Sequence, residues 1–340
     1  MKYWLMFVVT LLLISGCSNA DDSVEDDPNN QEPEAEEPEP EPEVPLIHPL
    51  TGLETDEINE NRVISAIINN SPAARPQSGL LEADIVYEIL AEYEVTRFVA
   101  LYQSELPERI GPIRSARPYF VELADGYDSL LVVHGWSPDA EVMLTNGDID
   151  YLNGLFYDGT LFQRSSDRKA PHNSYLPVEN LYKGIEDINV ELNKHVEPLN
   201  FLADIEETSI EGEEALDITV NYLGLHDVFY RYDELSRKYH RFNDEQTVDY
   251  ETGEAIELDN IFIVAADHRV LDDSGRREVN LTSGGDAVLI HSGVAQKVEW
   301  RNEQGRILPY KDGEILPFKK GQTWINIIPS TPGIEESVNY

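Results

Sequence analysis

Arginine is the residue whose placement in this chain could do chemistry. Between residues 46 and 180 there are eight Arg and one Lys, and most stand beside Pro, Gly or Ser in expected loops. Arg75 lies in NNSPAARPQSG, Arg109, Arg114 and Arg117 in ERIGPIRSARPYF, and Arg164, Arg168 and Lys169 in FQRSSDRKAPHNSY. A guanidinium offers a planar fork of donors matched to carboxylate or phosphate, and it stays charged when partly buried. Arg114 and Arg117 also precede a helix opened by Pro118, where free backbone N–H groups attract anions. Arg75, Arg114, Arg117, Arg164 and Arg168 are therefore the candidate anion-binding set, with Asp84, His172 and Asn173 as candidate polar partners. The rival reading is structural: Glu82, Asp84 and Glu88 occupy the same half and could hold these groups in ion pairs that pin loops to a sheet.

Other constellations carry less. His172 stands near Ser165, Ser166, Asp167 and Ser174, the residue types of a Ser-His-Asp system, but no Gly-x-Ser-x-Gly elbow accompanies them. His134, in VVHGW, reads as a core histidine. Asp267-His268 and Asp272-Asp273-Ser274-Gly275 fit neither a calcium loop nor a zincin pair, and the second run reads as a hairpin turn. There is no phosphate-cradling glycine loop and no dinucleotide fingerprint. No catalytic residue is assigned, and neither a metal site nor a cofactor is expected. Trp136, Trp300 and Trp324 could stack on sugars, although aromatic residues in strands usually belong to a core.

Charge narrows the choice of partner. The formal net charge is -40, from 65 acidic and 25 basic side chains. Residues 18–45 hold twelve acids and no Lys or Arg, which leaves 53 acids against 24 bases over residues 46–340. So acidic a surface repels phosphate backbones, and no nucleic-acid partner is expected. Any anion must be held locally.

The amino terminus reads as an address. Lys2, an apolar stretch from Tyr3 to Leu13 and Ile14-Ser15-Gly16-Cys17 form the three parts of an export signal. That stretch is too short for a bilayer span of about 20 residues. ISGC is similar to the lipobox of bacterial lipoproteins, which implies diacylglycerol on the Cys17 thiol, cleavage after residue 16 and a lipid-anchored (palmitate-type) place on the extracellular face of the cell membrane. Cys17 is the only cysteine, so no intramolecular disulfide can form. The Glu-Pro stretch that follows has almost nothing apolar to bury and is expected to stay disordered. At about 3.1 Å per residue it could reach on the order of 80 Å.

The folded remainder mixes signals. RVISAIIN, ADIVYEIL, TRFVALYQ and SLLVVHG are rich in β-branched and aromatic residues and predict strands. Ser137-Pro138 predicts a helix start and Asn146-Gly147 its stop. From Leu216 onward LDITVNY, VFYRYD, RKYHRF, NIFIVAAD, DAVLIHS, AQKVEWR and TWINIIP predict short strands between turn residues. The expected class is α+β (mixed α/β): a mixed domain around one sheet, then a mainly antiparallel β domain. The expected division is a signal at 1–16, the lipidated Cys and stalk at 17–45, a first domain at 46–200, a connection at 201–215 and a second domain at 216–335.

HPLTGL, NNSPAARPQSGLLEADIVYEIL, TRFVALYQS, RIGPIRSARPYF and APHNSY resemble blocks of the YerB-like lipoproteins of Gram-positive bacteria. The resemblance continues through YRYDELSRKYHR, TGEAIELDNIFIV, GRREVNLTSGGDAVLIHSG and GQTWINIIP. One departure is AEYEVTRF, where the family pattern has a Gly-rich turn. The resemblance implies a two-domain extracytoplasmic lipoprotein of unknown function and supplies no catalytic residue. The expected role is non-catalytic binding of an anionic cell-wall ligand or envelope protein through the arginine loops. The alternatives are an enzyme acting on a pyrophosphate-linked wall lipid or glycan, and a scaffold for wall proteins.

Overall fold

The structure, a computed structural model, describes residues 45–340 apart from 58–59, 204–205, 207–209 and 224–225. The export signal, Cys17 and all of the stalk but Pro45 lie outside the described residues. Strands β1 (Ile64–Asn69), β2 (Ile85–Leu90) and β3 (Thr96–Tyr102) are buried at every position. Strands apolar on both faces must be covered on both. In β1, Ile64, Ala66 and Ile68 enter one core cluster, while Ile67, with Val63 just before the strand, enters the other.

Helix α1 (Pro118–Asp125) starts on the proline that fixes its first φ. It is followed by β4 (Leu130–Val133) and α2 (Pro138–Asn146). The α2 start is capped as its sequence predicts, with Ser137 Oγ accepting from the Ala140 N–H at 3.4 Å. Its end is Gly147 at φ +84°, a left-handed cap that a Cβ would strain. Strand β5 (Tyr151–Asn153) and helix α3 (Val178–Ile188) follow in this half, which also holds a small sheet of the short strands at 109–110, 163–164 and 174–177.

The second half supplies β6 (Asp217–Tyr222), β7 (His226–Asp233), β8 (Lys238–Asn243), β9 (Asn260–Val270) and β10 (Arg277–Asn280). It continues with β11 (Gly285–His291), β12 (Val294–Glu303), β13 (Arg306–Lys311) and β14 (Thr323–Pro329). Each run predicted as a strand here forms one, and Asp272–Gly275 is the turn between β9 and β10.

One thirteen-stranded sheet takes strands from both halves, with the central order β13-β12-β11-β9-β14-β2-β3-β1-β4-β5. The joint is β14, parallel to β9 on one side and to β2 on the other, with Thr323 opposite both Asn260 and Ile85. A smaller sheet built on β8-β7-β6 contributes Tyr222, Tyr230 and Tyr239 to the same core as Trp324 and Phe98. Helices α1 and α2 contribute Phe120, Leu123 and Leu144 to the other core. The mixed α/β class with a mainly antiparallel second half is what the fold delivers.

Strand direction sets up the site. β1, β4 and β5 run parallel, and β1 and β2 share a direction because both are antiparallel to β3. Their carboxyl ends therefore fall on one edge, together with those of β14 and β9. In open α/β sheets ligands bind outside the carboxyl ends of parallel strands.

Candidate functional site

The segment from Arg114 to Arg117 is laced across that carboxyl edge by backbone bonds. Arg114 N–H donates to Ile67 C=O at 2.7 Å, His134 N–H to Arg114 C=O at 2.9 Å, and Ala116 N–H to Gly135 C=O at 2.9 Å. Arg97, at the start of antiparallel β3, and Glu92, in the turn after β2, reach the same edge. Glu92 accepts from Arg97 Nη2 at 2.5 Å, from Arg117 Nε at 2.6 Å and also from Arg117 Nη2. Arg114 is half-buried with Glu92 and Arg117 in electrostatic reach, yet its guanidinium has no hydrogen bond or ion pair to any described residue. Burial alone would raise the Glu92 pKa, but Arg97, Arg117 and Arg114 together hold it below the usual carboxylate range. Burial, followed by repulsion from Arg117, brings Arg97 down to about 9. Three guanidinium groups around one carboxylate leave a local surplus of two positive charges in an acidic protein.

Beside this group sits a second polar cluster. Arg164 donates to Asp158 at 2.9 and 3.0 Å, to Asn173 Oδ1 at 3.2 Å and to His134 Nε2 at 3.0 Å. An arginine can only donate, so His134 Nε2 must carry its lone pair and Nδ1 its proton. That proton points at Ser174 Oγ, 2.7 Å away. Ser174 therefore faces a donor and cannot be activated by His134 in this arrangement. The His134 pKa is lowered, by burial first and by Arg164 next, which keeps the ring neutral. A Cβ at Gly154 would lie 2.4 Å from His134 Nδ1, so glycine there makes room for the ring.

His172 Nδ1 is 2.8 Å from Asn69 Nδ2, and the Asn69 amide is oriented by its Oδ1 accepting from Ser71 N–H at 3.0 Å. His172 Nδ1 is thus an acceptor, and the neutral ring carries its hydrogen on Nε2. Burial, then Arg114, then Arg168 lower its pKa. Next to His134, Trp136 packs edge-on against Tyr151 and Phe156, and Phe156 is exposed. Trp300 and Trp324 are fully buried core residues.

The fold thus brings Arg114, Arg117, Arg164, His172 and Asn173 to one edge. Arg168 serves loop structure: it donates to the carbonyls of Ala74 and Pro76 and to Tyr175 Oη, and its guanidinium carbon lies 4.8 Å from the Tyr250 ring centroid. Arg75 faces a different cleft. Asp84 precedes the amino end of β2, on the opposite edge, where its carboxylate accepts from Gln103 N–H at 2.6 Å and from Ser104 N–H at 3.0 Å. Burial pushes it up to about 6 against those donors. Sequence reasoning missed Arg97 and Glu92, whose signal was a charged pair five residues apart across a predicted turn.

A groove of about 740 Å³ opens beside Arg117, lined also by Tyr119, Ser137, His268 and Arg277. Burial lowers His268 to about 4, so it is neutral there. Among the described residues no group of three His, Cys, Asp or Glu is placed to share a metal ion, and no helix is long and apolar enough to cross a membrane.

With this geometry in view, the chain belongs to the family described as protein of unknown function (DUF3048), its N-terminal domain matching residues 50–191 and its C-terminal domain residues 218–325. A relative in Bacillus subtilis (strain 168), described as "Putative lipoprotein YerB", is 44% identical over 287 residues, which span 83% of this chain and 86% of the relative. The crystal structure of YerB protein from Bacillus subtilis superposes with a TM-score of 0.80 at 43% identity, covering 86% of this chain and 99% of that one.

Proposed function

We propose that this protein is a lipid-anchored envelope protein that binds an anionic ligand at the carboxyl edge of its large sheet. Arg114 takes the anion, Arg117 and Arg97 supply the surrounding positive field, and Arg164 with His172 and Asn173 extends the donor row. The observation that carries the reading is the Arg114 guanidinium, held half-buried among cations with no described partner of its own. Charge-assisted hydrogen bonds from such a group are stronger than neutral ones, and partial burial shields them from salt. Trp136 and exposed Phe156, close to His134, favour a ligand in which the anion is attached to a sugar. Anchoring through Cys17 is supported by the ISGC motif and by the name of the Bacillus relative.

Calorimetry of the full chain in detergent against wall precursors, teichoic-acid fragments and polyphosphate tests the binding. The double variant Arg114→Ala, Arg117→Ala is expected to lose at least about tenfold in affinity, the scale of one charge-assisted bond. Absence of binding by the unaltered chain, or equal binding by the variant, rejects the reading. Radiolabelled palmitate incorporation that disappears in Cys17→Ser tests the anchor separately.

A further inference from the structure

The groove of about 740 Å³ beside Arg117 lies between helix α1 and the hairpin of β9 and β10. Every residue from Arg276 to Thr282 lines it, and since neighbouring residues of a strand face opposite ways, the groove follows β10 lengthwise. Among the described residues β10 pairs only with β9. Leu271 N–H donates to Arg276 C=O at 2.7 Å, so residues 276, 278 and 280 turn their backbone groups towards β9, while Arg277 and Val279 turn theirs away. No backbone bond to a described residue takes up the N–H or C=O of Arg277 or Val279. An open edge of this kind accepts a further strand.

The charges left over in the groove define what that strand carries. Arg117 is taken up by Glu92, Arg276 by Asp272 and Arg269 by Glu278. Arg277 forms no ion pair with a described residue. Its Nε and Nη2 donate to the Tyr93 C=O, whereas its Nη1 makes no hydrogen bond to a described residue and is not sealed from solvent. Glu122, on α1, is exposed, and its carboxylate has neither a hydrogen bond nor an ion pair with a described residue. Partial desolvation first, then repulsion from Glu278, raise its pKa. Asp139 and Asp267, both exposed, line the same space without an ion pair to a described residue.

One open guanidinium donor, three unmatched carboxylates and a row of backbone donors and acceptors complement one kind of molecule. A peptide main chain supplies alternating N–H and C=O groups to Arg277 and Val279, a carboxylate accepts from Arg277 Nη1, and ammonium groups offset Glu122, Asp139 and Asp267. The volume is in the ordinary range for small-ligand sites, about 300 to 1,000 Å³, and holds a few residues of extended chain. We infer that this groove binds a short basic peptide as an added strand along β10, with a carboxylate on Arg277 and an ammonium group on Glu122. Such a guest is opposite in charge to the anion proposed for Arg114, so the two readings stand or fall separately.

The test is calorimetry of the full chain in detergent with the tripeptide Lys-Ala-Ala as probe. Amidating its carboxylate, acetylating its two ammonium groups, or methylating its peptide nitrogens should each weaken binding at least about fivefold, the scale of one net hydrogen bond. Glu122→Gln is expected to weaken Lys-Ala-Ala about three- to fivefold and to leave the acetylated form unchanged, a pattern that a general loss of structure does not produce. On the unaltered chain, saturating Lys-Ala-Ala should slow hydrogen exchange at the Arg277 and Val279 amides. Any one of four results would overturn the assignment: no binding of Lys-Ala-Ala, modified forms that bind as well as the parent, a Glu122→Gln effect equal for the parent and the acetylated form, or exchange at Arg277 and Val279 that the probe does not slow.

Discussion

Two carboxylates four residues apart, Glu88 in β2 and Glu92 just beyond it, both hold arginines, and they do so in opposite ways. Glu88 is fully buried and accepts from Arg241 Nη2 at 2.8 Å, Trp324 Nε1 at 3.0 Å, Asn70 Nδ2 at 3.2 Å and Thr96 Oγ1 at 2.9 Å. It faces one fully buried arginine, and the charges match. Glu92 is 23% exposed and meets two arginines directly, with a third close by, so its surroundings are positively charged on balance. Balanced charge in an interior joins parts of a fold. Surplus charge at an edge is available to a guest.

The largest expected effect follows from the interior pair. Taking away one partner of a buried ion pair costs about 3–5 kcal/mol, because the other charge is left desolvated and alone. Arg241→Met should therefore lower the unfolding free energy by that amount in urea titrations, and Glu88→Gln somewhat less because the amide keeps part of the hydrogen bonding. Replacing both should cost less than the sum of the two single changes. A cost below about 1 kcal/mol for Arg241→Met, within the range of ordinary surface changes, would show that the two carboxylates are not functionally distinct.

Glu92→Gln comes next, and it should move stability and binding in opposite directions. Losing two partly shielded ion pairs is expected to cost about 1–3 kcal/mol at neutral pH. The native pKa of Glu92 lies below its ordinary value of 4.5, so the folded state binds its proton less readily than the unfolded chain. Its stabilisation is thus fully present above that ordinary value and is lost as pH falls through the depressed native one. The gap between wild type and Glu92→Gln should close on acidification, measured by urea unfolding at a series of pH values. Polyphosphate should bind the variant more tightly, since three guanidinium groups then lack any carboxylate. Weaker binding would mean that Glu92 positions the arginines rather than competing with the ligand for them.

What could be read in the sequence divides along the same line. The α2 helix was legible from Ser137-Pro138 to Gly147 because its start and stop are local. Strand runs were legible because alternation and β-branching are local too. Arginines in loops stood out by type and neighbours, and five of them were singled out, but pairing is a property of three-dimensional contact. In the rival reading Glu88 could pair with first-half arginines; it is taken by Arg241, 153 residues away, which reads in sequence as one more residue of the strand run RKYHRF. The position of β14 between β9 and β2 has the same origin: TWINIIP announces a buried strand and says nothing of its neighbours. Glu92 with Arg97, five residues apart across a turn, and Arg164 with Asp158, six apart, were within reach of local reasoning.

The smallest effect on stability is expected at Arg114, and it separates the two regions most sharply. Its guanidinium makes no hydrogen bond or ion pair with a described residue, and the attraction of Glu92 is opposed by burial and by repulsion from Arg117, so Arg114→Ala should change the unfolding free energy by no more than about 0.5 kcal/mol, with either sign. The same change should cost at least about tenfold in affinity for whichever anion the unaltered chain binds, since the removed group is the one with open donors. A residue whose loss harms binding and spares folding belongs to the ligand. If Arg114→Ala instead destabilises the chain by more than about 2 kcal/mol, a value typical of lost internal contacts, the guanidinium is a prop for the loop across β1 and β4, and the edge differs from the interior only in its exposure to water.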